Sequence, residues 1–290
     1  MKKLLKKLLN NKKNKEEIFK SSIEPRIKKF KNIVLSKKNI SFLHYGHLGD
    51  IINCLPTIQE ISKTAKCTLY IQKDKAIPGH VVSKDHPFGN VYLSEKAITK
   101  FIPLLEKQGY LSKVEIYQNQ IIDIDLNFFR ELQINFNIDS VRWYSHLTGV
   151  HPDLSKKYLD VENHNRFRNF IVIMRSLRRQ NKFISYSFLE NYKDIIFIGL
   201  KDEYDDLKKT IKNLQYYDSG DFLELASIIK NSKIFIGNLS LGYALAEALK
   251  VPRLLESAPD FPLVYPNGPK AHDFYFQNHF EYLVKKLSDS

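Results

Sequence analysis

Cysteine is almost absent from this chain of 290 residues, which contains only Cys54 and Cys67. Two cysteines cannot form the disulfide framework of a small secreted domain, so a reducing compartment is expected. The nine histidines are scattered and show no spacing that is typical of metal ligands. The sequence therefore predicts neither a disulfide-rich fold nor a metal site.

Long apolar runs are missing as well. The first ten residues alternate pairs of Leu with pairs of Lys, and they lack the apolar core of a signal peptide. No other stretch has the length and apolar content of a membrane span. We therefore expect a cytoplasmic protein, with peripheral attachment to the inner face of the membrane as an alternative.

The net charge of +13 is distributed unevenly along the chain. Residues 1–31 contain twelve Lys or Arg and three acids, which is +9 of the total. This segment is either an interfacial helix that binds anionic lipid or a basic arm, solvated or packed on the protein. The remainder is only mildly basic, and its lysines do not alternate with stacking aromatic residues. We therefore do not expect nucleic acid as a partner.

The length of the chain suits two domains better than one. Predicted strands and helices alternate through both halves, which is typical of doubly wound α/β domains with parallel sheets. A polar stretch at 150–168 separates the halves. We predict a basic leader over 1–38, an N-terminal α/β domain over 39–165 and a C-terminal α/β domain over 166–290.

The clearest local pattern of the first half is Ile40–Thr57. A short apolar strand ends at His44, Gly46 and Gly49 form a tight turn, and apolar residues then recur at helical spacing. Asp50 lies where the first free N–H groups of that helix emerge. It is therefore either a helix cap or a reactive carboxylate that faces a cleft.

The second half repeats this pattern at two strands. The apolar run Asn169–Met174 is followed directly by Arg175 and Arg178, and the strand Lys233–Ile236 is followed by Gly237–Gly242. Cations and a helix N-terminus at the carboxyl ends of strands are suited to a diphosphate. The alternatives are a solvated basic loop and a turn that binds no ligand.

A third group of polar residues lies at the end of a predicted strand in the first half. Asp125, Asn127 and Arg130 follow Ile121–Ile124 in the sequence. An Asp-x-Asp pair binds a divalent cation in GT-A glycosyltransferases, but the second α/β half does not fit that class. The pattern favours an ordinary polar strand end, with recognition of an acceptor as the alternative.

Two stretches resemble the lipopolysaccharide heptosyltransferases, glycosyltransferase family 9. Leu48–Pro56 resembles the first-loop motif of that family, and Ala226–Pro252 resembles its donor-site signature of helix, strand, small-residue turn and Ala-rich helix. Phe197–Glu203 also resembles its strand–Gly–Glu element. Leu239 and Ala244 depart from the family pattern, which has an acid and a His there, and Gly242 replaces its usual Pro or Leu.

The resemblance implies a GT-B fold, with two Rossmann-type domains that face a cleft, and a role for each candidate residue. In such a fold 39–165 would be the acceptor-side domain and 166–290 the nucleotide-sugar-binding domain. Asp50 would be the catalytic base, and the Glu203 carboxylate would accept hydrogen bonds from ribose hydroxyls. Glu203 is otherwise a helix N-terminal acid that favours the macrodipole. The implied donor or nucleotide site consists of Gly49, Arg175, Arg178, Glu203, Gly237, Asn238, Ser240, Leu241 and Glu247. The acceptor-side candidates are Asp125, Asn127 and Arg130.

The resulting functional hypothesis is an inverting, metal-independent glycosyltransferase without a cofactor. It would move a sugar from a nucleotide-sugar donor to a hydroxyl of a glycan or glycolipid, with a role in envelope polysaccharide or lipopolysaccharide synthesis. The alternative is a non-catalytic relative that binds a nucleotide sugar or a glycan and docks on a membrane through residues 1–31.

Overall fold

The computed structural model describes residues 17, 19–79, 87–131, 140–258 and 266–289. These residues form two parallel sheets with helices packed around them. The first sheet has four strands in the order β3-β2-β1-β4. Its strands are β1 (Asn39–His44), β2 (Lys66–Ile71), β3 (Leu111–Ile116) and β4 (Ile124–Asp125).

Four α-helices accompany the first sheet in the described part of the chain. They are α1 (Glu24–Ser36), α2 (Leu48–Ile61), α3 (Glu95–Glu106) and α4 (Ser140–Thr148). Helix α1 packs against α4 and buries Ile27 and Phe30 in the core. The C-terminal part of the predicted leader is thus a packed helix in the structure. Residues 1–16 and 18 lie outside the described residues, and the boundaries at 38 and 165 stay predictions.

The second sheet has six strands in the order β10-β9-β8-β5-β6-β7. The strands are β5 (Ile171–Met174), β6 (Ile195–Ile198), β7 (Gln215–Tyr217), β8 (Ile234–Asn238), β9 (Arg253–Glu256) and β10 (Ala271–Phe274). The helices are α5 (Lys201–Lys208), α6 (Phe222–Lys230), α7 (Leu241–Leu249) and α8 (Gln277–Ser288). Strands β5, β6 and β8 are buried on both faces, which explains their continuous apolar sequences.

The two halves, β1–β4 with α1–α4 and β5–β10 with α5–α8, meet through helices. Helix α2 packs against α7 and α3 against α6, where the rings of Phe101 and Phe222 lie edge to face at 5.6 Å. One buried apolar cluster extends from the first half into the second through these helices. A separate cluster fills the other face of the second sheet.

The predicted fold class, α/β with two parallel sheets, is confirmed. Two local predictions are wrong in detail. The segment 91–93, whose apolar sequence also predicts a strand, forms a single antiparallel bridge between Val91 and Ala76. Of the predicted strand 121–124 only Ile124 pairs, and the strand continues to Asp125. Backbone hydrogen bonds from Asp74 to Leu93, from Ile77 to Asn90 and from Tyr92 to Lys75 hold the first segment around that single bridge. No helix in the described ranges is long and apolar enough to span a bilayer.

Candidate functional site

Each sheet has a point where the strand order reverses, and the conspicuous polar residues follow the strands on either side of it. In the first sheet the reversal lies between β1 and β4; Asp50 follows β1 and Arg130 follows β4. In the second sheet it lies between β5 and β8, which precede Ser176 and Ser240. Ligands of open α/β sheets bind at such switch points.

Asp50 is held in place by the turn that starts α2. It is the third residue of the helix, and its Oδ2 accepts a hydrogen bond from the backbone N–H of the N-cap residue His47 at 3.3 Å. The same Oδ2 accepts a hydrogen bond from Arg130 Nη2 at 2.6 Å. No hydrogen bond from a described residue reaches Oδ1. Asp50 therefore caps the helix with one oxygen and has a second oxygen available for a substrate.

The charge of Asp50 is set by its neighbours. Burial alone would raise its pKa, but the Arg130 guanidinium, with smaller effects from His47 and His44, holds the pKa below its usual value. Arg130 is itself packed over the ring of Phe129 at 4.5 Å and of Tyr92 at 5.2 Å. The carboxylate is consequently ionised at neutral pH and positioned by a rigid cation.

Gly46 is required for this ion pair to form. A Cβ at this position would collide with Nη2 of Arg130 and would lie 2.7 Å from Cε1 of His44 and 2.9 Å from Oδ2 of Asp50. A glycine leaves the space that the guanidinium needs to reach the carboxylate. A glycine is thus needed at position 46 because the side chains of Arg130, His44 and Asp50 come close to its backbone.

A buried hydrogen-bond chain supports the backbone of Asp50. Nδ1 of His44 accepts a hydrogen bond from the N–H of Gly46 at 2.9 Å, so Nε2 carries the proton that it donates to the hydroxyl of Tyr144 at 2.8 Å. That hydroxyl donates to the carbonyl of Asp50 at 3.0 Å. Burial, opposed by Asp50, lowers the pKa of His44 to about 3, so the imidazole is neutral.

Asp125 and Asn127 form the floor of the same region. Asn127 is fully buried; its Oδ1 accepts a hydrogen bond from the N–H of Tyr45 at 2.9 Å, and its Nδ2 donates to Asp125 Oδ1 at 2.8 Å. These contacts connect the end of β4 to the end of β1. They agree with the polar strand end that the sequence favoured, and recognition of an acceptor by these two residues stays a prediction.

The switch point of the second sheet is closed by Asn238. Its Oδ1 accepts a hydrogen bond from the N–H of Ser176 at 2.8 Å, and its Nδ2 donates to the carbonyl of Ser176 at 2.7 Å. Gly237 allows β8 to lie close to β5, since a Cβ there would lie 2.6 Å from the carbonyl oxygen of Met174. Ser240 is the N-cap of α7, and Leu241 is the first residue of that helix. The side chain of Asn238 is therefore engaged with the protein, while the N-terminus of α7 follows it.

The three cations after β5 have different environments. Arg175 is buried and pairs with Glu256, to which its Nε donates at 2.6 Å. Arg178 and Arg179 both lower the pKa of His47 in the first half, behind the larger effects of burial and Arg130. Arg178 also lowers the pKa of Glu203. The charges of Arg178 and Arg179 thus act on a residue of the first half. A phosphate contact of Arg175, as predicted, would compete with Glu256 for its guanidinium group.

Glu203 and Glu247 were both predicted at the donor site. Glu203 is buried, and its Oε2 accepts a long hydrogen bond of 3.4 Å from the N–H of Leu200. Burial raises the pKa of Glu203 to about 7. Glu247 pairs with Arg253 at 2.6 Å and with Lys250, both in the second half. The contacts of Glu247 are those of an internal ion-pair network, and its role toward a donor stays a prediction.

The two helix N-termini converge where the halves meet. A Cβ on Gly49, in the first turn of α2, would lie 3.8 Å from Cβ of Ala244 in α7. This places Asp50 close to the start of α7, in the same turn as His47, whose pKa the charges of Arg178 and Arg179 lower. The region combines an ionised carboxylate, two cations and the positive ends of two helices. It is suited to a polar substrate that carries a diphosphate.

The sequence patterns do not identify three residues that the structure places in this region. Tyr144 and Glu256 lie in segments with no glycine turn or charge cluster, and His44 was considered only as a poor metal ligand. An apolar strand that ends in a polar residue, as β1 and β9 do, is the signal that would have marked His44 and Glu256. In the described residues, no group of three His, Cys, Asp or Glu side chains is placed to hold a metal ion.

The protein has two α/β halves, each with one parallel sheet, and the carboxyl ends of the central strands of both sheets lie toward a shared region. This arrangement is that of a GT-B-type fold. Comparison with models of protein families finds no match, and neither does comparison with curated proteins. Solved structures do match, and among them are a family 9 glycosyl transferase and two heptosyltransferases. The resemblance predicted from the sequence is therefore confirmed at the level of the fold.

Three of these structures are similar over most of this chain. Escherichia coli heptosyltransferase WaaC with ADP has a TM-score of 0.57 at 10% identity, covering 86% of this chain and 99% of WaaC. A family 9 glycosyl transferase from Veillonella parvula has 0.54 at 11% identity, covering 87% and 89%. TibC, an iron-containing dodecameric heptosyltransferase in complex with ADP-D-beta-D-heptose, has 0.53 at 13% identity, covering 82% and 62%.

Proposed function

We propose that this protein is a glycosyltransferase that moves a sugar from a nucleotide-sugar donor to a hydroxyl group of a glycan or glycolipid acceptor. The observation that carries the proposal is the ionised Asp50, with Oδ2 bound by Arg130 and Oδ1 without a partner in the described part of the chain. Arg178 and Arg179 on the other half support it, since a nucleoside diphosphate leaving group needs cations. The named ligands of WaaC and TibC are ADP and ADP-D-beta-D-heptose.

In the proposed reaction Asp50 Oδ1 removes the proton from the acceptor hydroxyl. The acceptor oxygen forms a bond to the anomeric carbon as the bond between that carbon and the diphosphate oxygen breaks. Attack from the side opposite the leaving group inverts the anomeric configuration. The negative charge that develops on the diphosphate is stabilised by Arg178 and Arg179 and by the N-terminus of α7.

Arg130 has a specific task in this scheme. It occupies Oδ2, so the acceptor hydroxyl must approach Oδ1, and it keeps Asp50 ionised while the acceptor binds. The contact with Arg130 also makes Asp50 a weaker base, because a lower pKa reduces the affinity of the carboxylate for the proton. Among the three acceptor-side candidates, Arg130 is the one in direct contact with the proposed base. Metal independence and the absence of a cofactor are part of this proposal.

The membrane is the second proposed partner. Residues 1–31 carry +9 of the net charge of +13, and in the described part Lys28 and Lys29 are exposed on α1, whose apolar face packs on the first half. A basic face of this kind is attracted to anionic lipid. Peripheral attachment on the cytoplasmic face would bring the enzyme to a glycolipid acceptor.

A non-catalytic binding protein is the second candidate function, and Ala244 favours it. The family pattern has a His where Ala244 contacts the first turn of α2 beside Gly49. A methyl group there can pack but cannot exchange protons or bind a phosphate. Such a protein would bind a nucleotide sugar or a glycan and would not release a nucleoside diphosphate.

The decisive experiment measures turnover in the wild type and in Asp50→Asn. The protein is incubated with a panel of nucleotide sugars and a lipo-oligosaccharide extract, and released nucleoside diphosphate is quantified. Asn retains much of the capping ability of Asp, so we expect a near-normal melting temperature and intact nucleotide binding. Loss of the general base should lower the rate by about 10²- to 10⁴-fold.

The matched control is Asp160→Asn, which removes an exposed carboxylate that pairs with Lys157. This control should keep the wild-type rate. A wild-type rate in Asp50→Asn would end the catalytic assignment. Nucleotide-sugar binding without any turnover by the wild type would select the non-catalytic candidate.

A further inference from the structure

Glu256 is a buried carboxylate whose two oxygens are fully engaged. It is the last residue of β9 and is about 1% exposed. Its Oε2 accepts hydrogen bonds from Arg175 Nε at 2.6 Å and from the Tyr186 hydroxyl at 2.8 Å. Its Oε1 accepts hydrogen bonds from Arg175 Nη2 at 2.8 Å and from the N–H of Asn181. These four hydrogen bonds compensate for the removal of the carboxylate from water.

All of these donors belong to one segment of the chain, 175–186, which follows β5. Glu256 lies two strands away from β5 in the sheet, across β8. The segment therefore extends over the carboxyl ends of β8 and β9. The side chain of Glu256, at the end of β9, accepts hydrogen bonds from the beginning of this segment (Arg175), from its middle (Asn181) and from its end (Tyr186).

The same segment has two further anchors. The first anchor is Ser176, whose backbone N–H and carbonyl both form hydrogen bonds with the side chain of Asn238. The second is Asn181, which is fully buried and whose Nδ2 donates to the carbonyls of Ser257 and Tyr275 at 3.2 and 3.1 Å. Between these anchors lies the short 3-10 turn Leu177–Arg179. The backbone that carries Arg178 and Arg179 is thus fixed on both sides.

We propose that Glu256 is a positioning residue, which fixes the segment 175–186 through Arg175, Asn181 and Tyr186 so that Arg178 and Arg179 face the cleft. This inference rests on the proposed function, in which those two cations bind the diphosphate. Arg175 then has a structural task, since both of its paired nitrogens are committed to Glu256. Glu256 contacts no substrate and acts only through the segment that it holds.

The test is Glu256→Gln, read by hydrogen exchange and by ligand affinity in the full chain. Glutamine keeps the shape of the side chain, but its amide nitrogen donates hydrogen bonds where a carboxylate oxygen of Glu256 accepts them. The donors Arg175, Asn181 and Tyr186 therefore lose one of the two oxygens that accept their hydrogen bonds. We expect the backbone amides of residues 177–183 to exchange at least tenfold faster. Affinity for ADP and for inorganic pyrophosphate should fall about tenfold, and affinity for adenosine should change little.

The matched control is Glu224→Gln on the opposite side of the same sheet. Glu224 accepts hydrogen bonds from the Tyr217 hydroxyl at 2.6 Å and the N–H of Gly220 at 2.7 Å, so its loss also breaks carboxylate contacts. It should leave both the exchange of residues 177–183 and the affinity for pyrophosphate unchanged. Equal effects in the two variants would mean general destabilisation and would overturn the proposal.

A milder variant keeps the proposal testable if Glu256→Gln does not fold. Tyr186→Phe removes one donor and retains the ring that packs on Phe280 at 4.9 Å. It should raise the exchange rate and weaken pyrophosphate binding by a few-fold, and unchanged values in both measurements would refute the positioning role.

Arg178→Ala/Arg179→Ala separates this inference from the proposed function. If that double variant binds ADP and pyrophosphate like the wild type, the proposed diphosphate site fails. The exchange measurement on Glu256→Gln still reports whether Glu256 fixes the segment.

Discussion

Each half of the molecule contains an arginine–carboxylate pair that joins distant parts of the chain, and the two pairs differ in every property that matters for reactivity. Arg130 reaches Asp50 through one nitrogen and one oxygen, and both side chains are about a quarter exposed. Arg175 reaches Glu256 through two nitrogens and two oxygens, and the Glu256 side chain is completely buried.

The difference teaches how the same two chemical groups are assigned to different tasks. Glu256 has no oxygen left for a ligand, because Tyr186 and Asn181 complete its contacts. Among the described residues, Asp50 shares only Oδ2 with the protein, and its Oδ1 accepts no hydrogen bond. An enclosed pair with two hydrogen bonds contributes structure, and a pair with one hydrogen bond at a helix N-terminus leaves the second carboxylate oxygen for the base role proposed above.

The comparison predicts its largest effect for the two arginines. Arg175→Met leaves a carboxylate buried without its cation and should lower the free energy of unfolding by about 3–5 kcal/mol. Arg130→Met breaks a partly exposed pair and should cost about 1 kcal/mol. Urea denaturation of both variants and the wild type measures this difference. Similar losses would show that the two pairs carry equal structural weight.

The second prediction concerns acid and the first half. The pKa of His44 is lowered from 6.5 to about 3, so the unfolded chain binds a proton that the folded chain does not. Its contribution to stability is fully present above pH 6.5 and is lost as the pH falls toward 3. At pH 4.5 the loss should be about 3 kcal/mol, at roughly 1.4 kcal/mol for each pH unit.

His44→Gln isolates this contribution. The loss of stability between pH 7 and pH 4.5 should be smaller in this variant than in the wild type. His279→Gln, which replaces an exposed histidine in α8, is the control and should follow the wild type. The same acid dependence in His44→Gln and the wild type would assign the effect to other groups.

The sequence contained enough information for the local parts of the fold. A strand, a glycine turn and a helix occupy consecutive residues, so the end of β1 at His44 and the start of α2 beside Asp50 were predicted from one short segment. The strands β7 and β10 were missed. They form the two edges of the second sheet and are partly exposed, so they lack the continuous apolar run of a central strand.

The candidate site was predictable to the same extent. Asp50 follows from its own turn, whereas its partner Arg130 is 80 positions away and Glu256 is 81 positions from Arg175. Spacing along the chain cannot identify such pairs, because they depend on which strands become neighbours. The prediction that Arg175 contacts a phosphate considered only its position after β5 and could not include the carboxylate two strands away.

The third prediction has the opposite sign to that for His44 and concerns the second half. The pKa of Glu203 is raised from 4.5 to about 7 by burial, so the folded chain binds a proton that the unfolded chain releases. The stabilisation is present below pH 4.5 and is lost as the pH rises to 7. Glu203→Gln should therefore be more stable than the wild type by about 3 kcal/mol at pH 8, at roughly 1.4 kcal/mol for each pKa unit, and no more stable at pH 4.5. Melting temperatures at both pH values measure it, and a variant that is less stable at pH 8 would show that the ionised carboxylate is well solvated or paired.

The smallest effect is expected from Tyr144→Phe, which tests how the first half supports its reactive residue. The hydroxyl of Tyr144 connects Nε2 of His44 to the carbonyl of Asp50, and the ring is completely buried. Removing one buried hydroxyl leaves two polar groups without their partner, which should cost about 1–2 kcal/mol of unfolding free energy. Because the backbone of Asp50 loses a contact, the transfer rate should fall a few-fold while the KM for the donor changes little.

Tyr110→Phe is the matched control, since its hydroxyl also donates to a carbonyl, that of Tyr158 at 2.6 Å, and makes no contact with Asp50. It should lower stability by a similar amount and leave the transfer rate unchanged. If both variants lose activity equally, stability alone explains the loss. If Tyr144→Phe alone is slower, the chain from His44 through Tyr144 holds Asp50 in its working position, and the reactive pair of the first half depends on buried support just as the structural pair of the second half does.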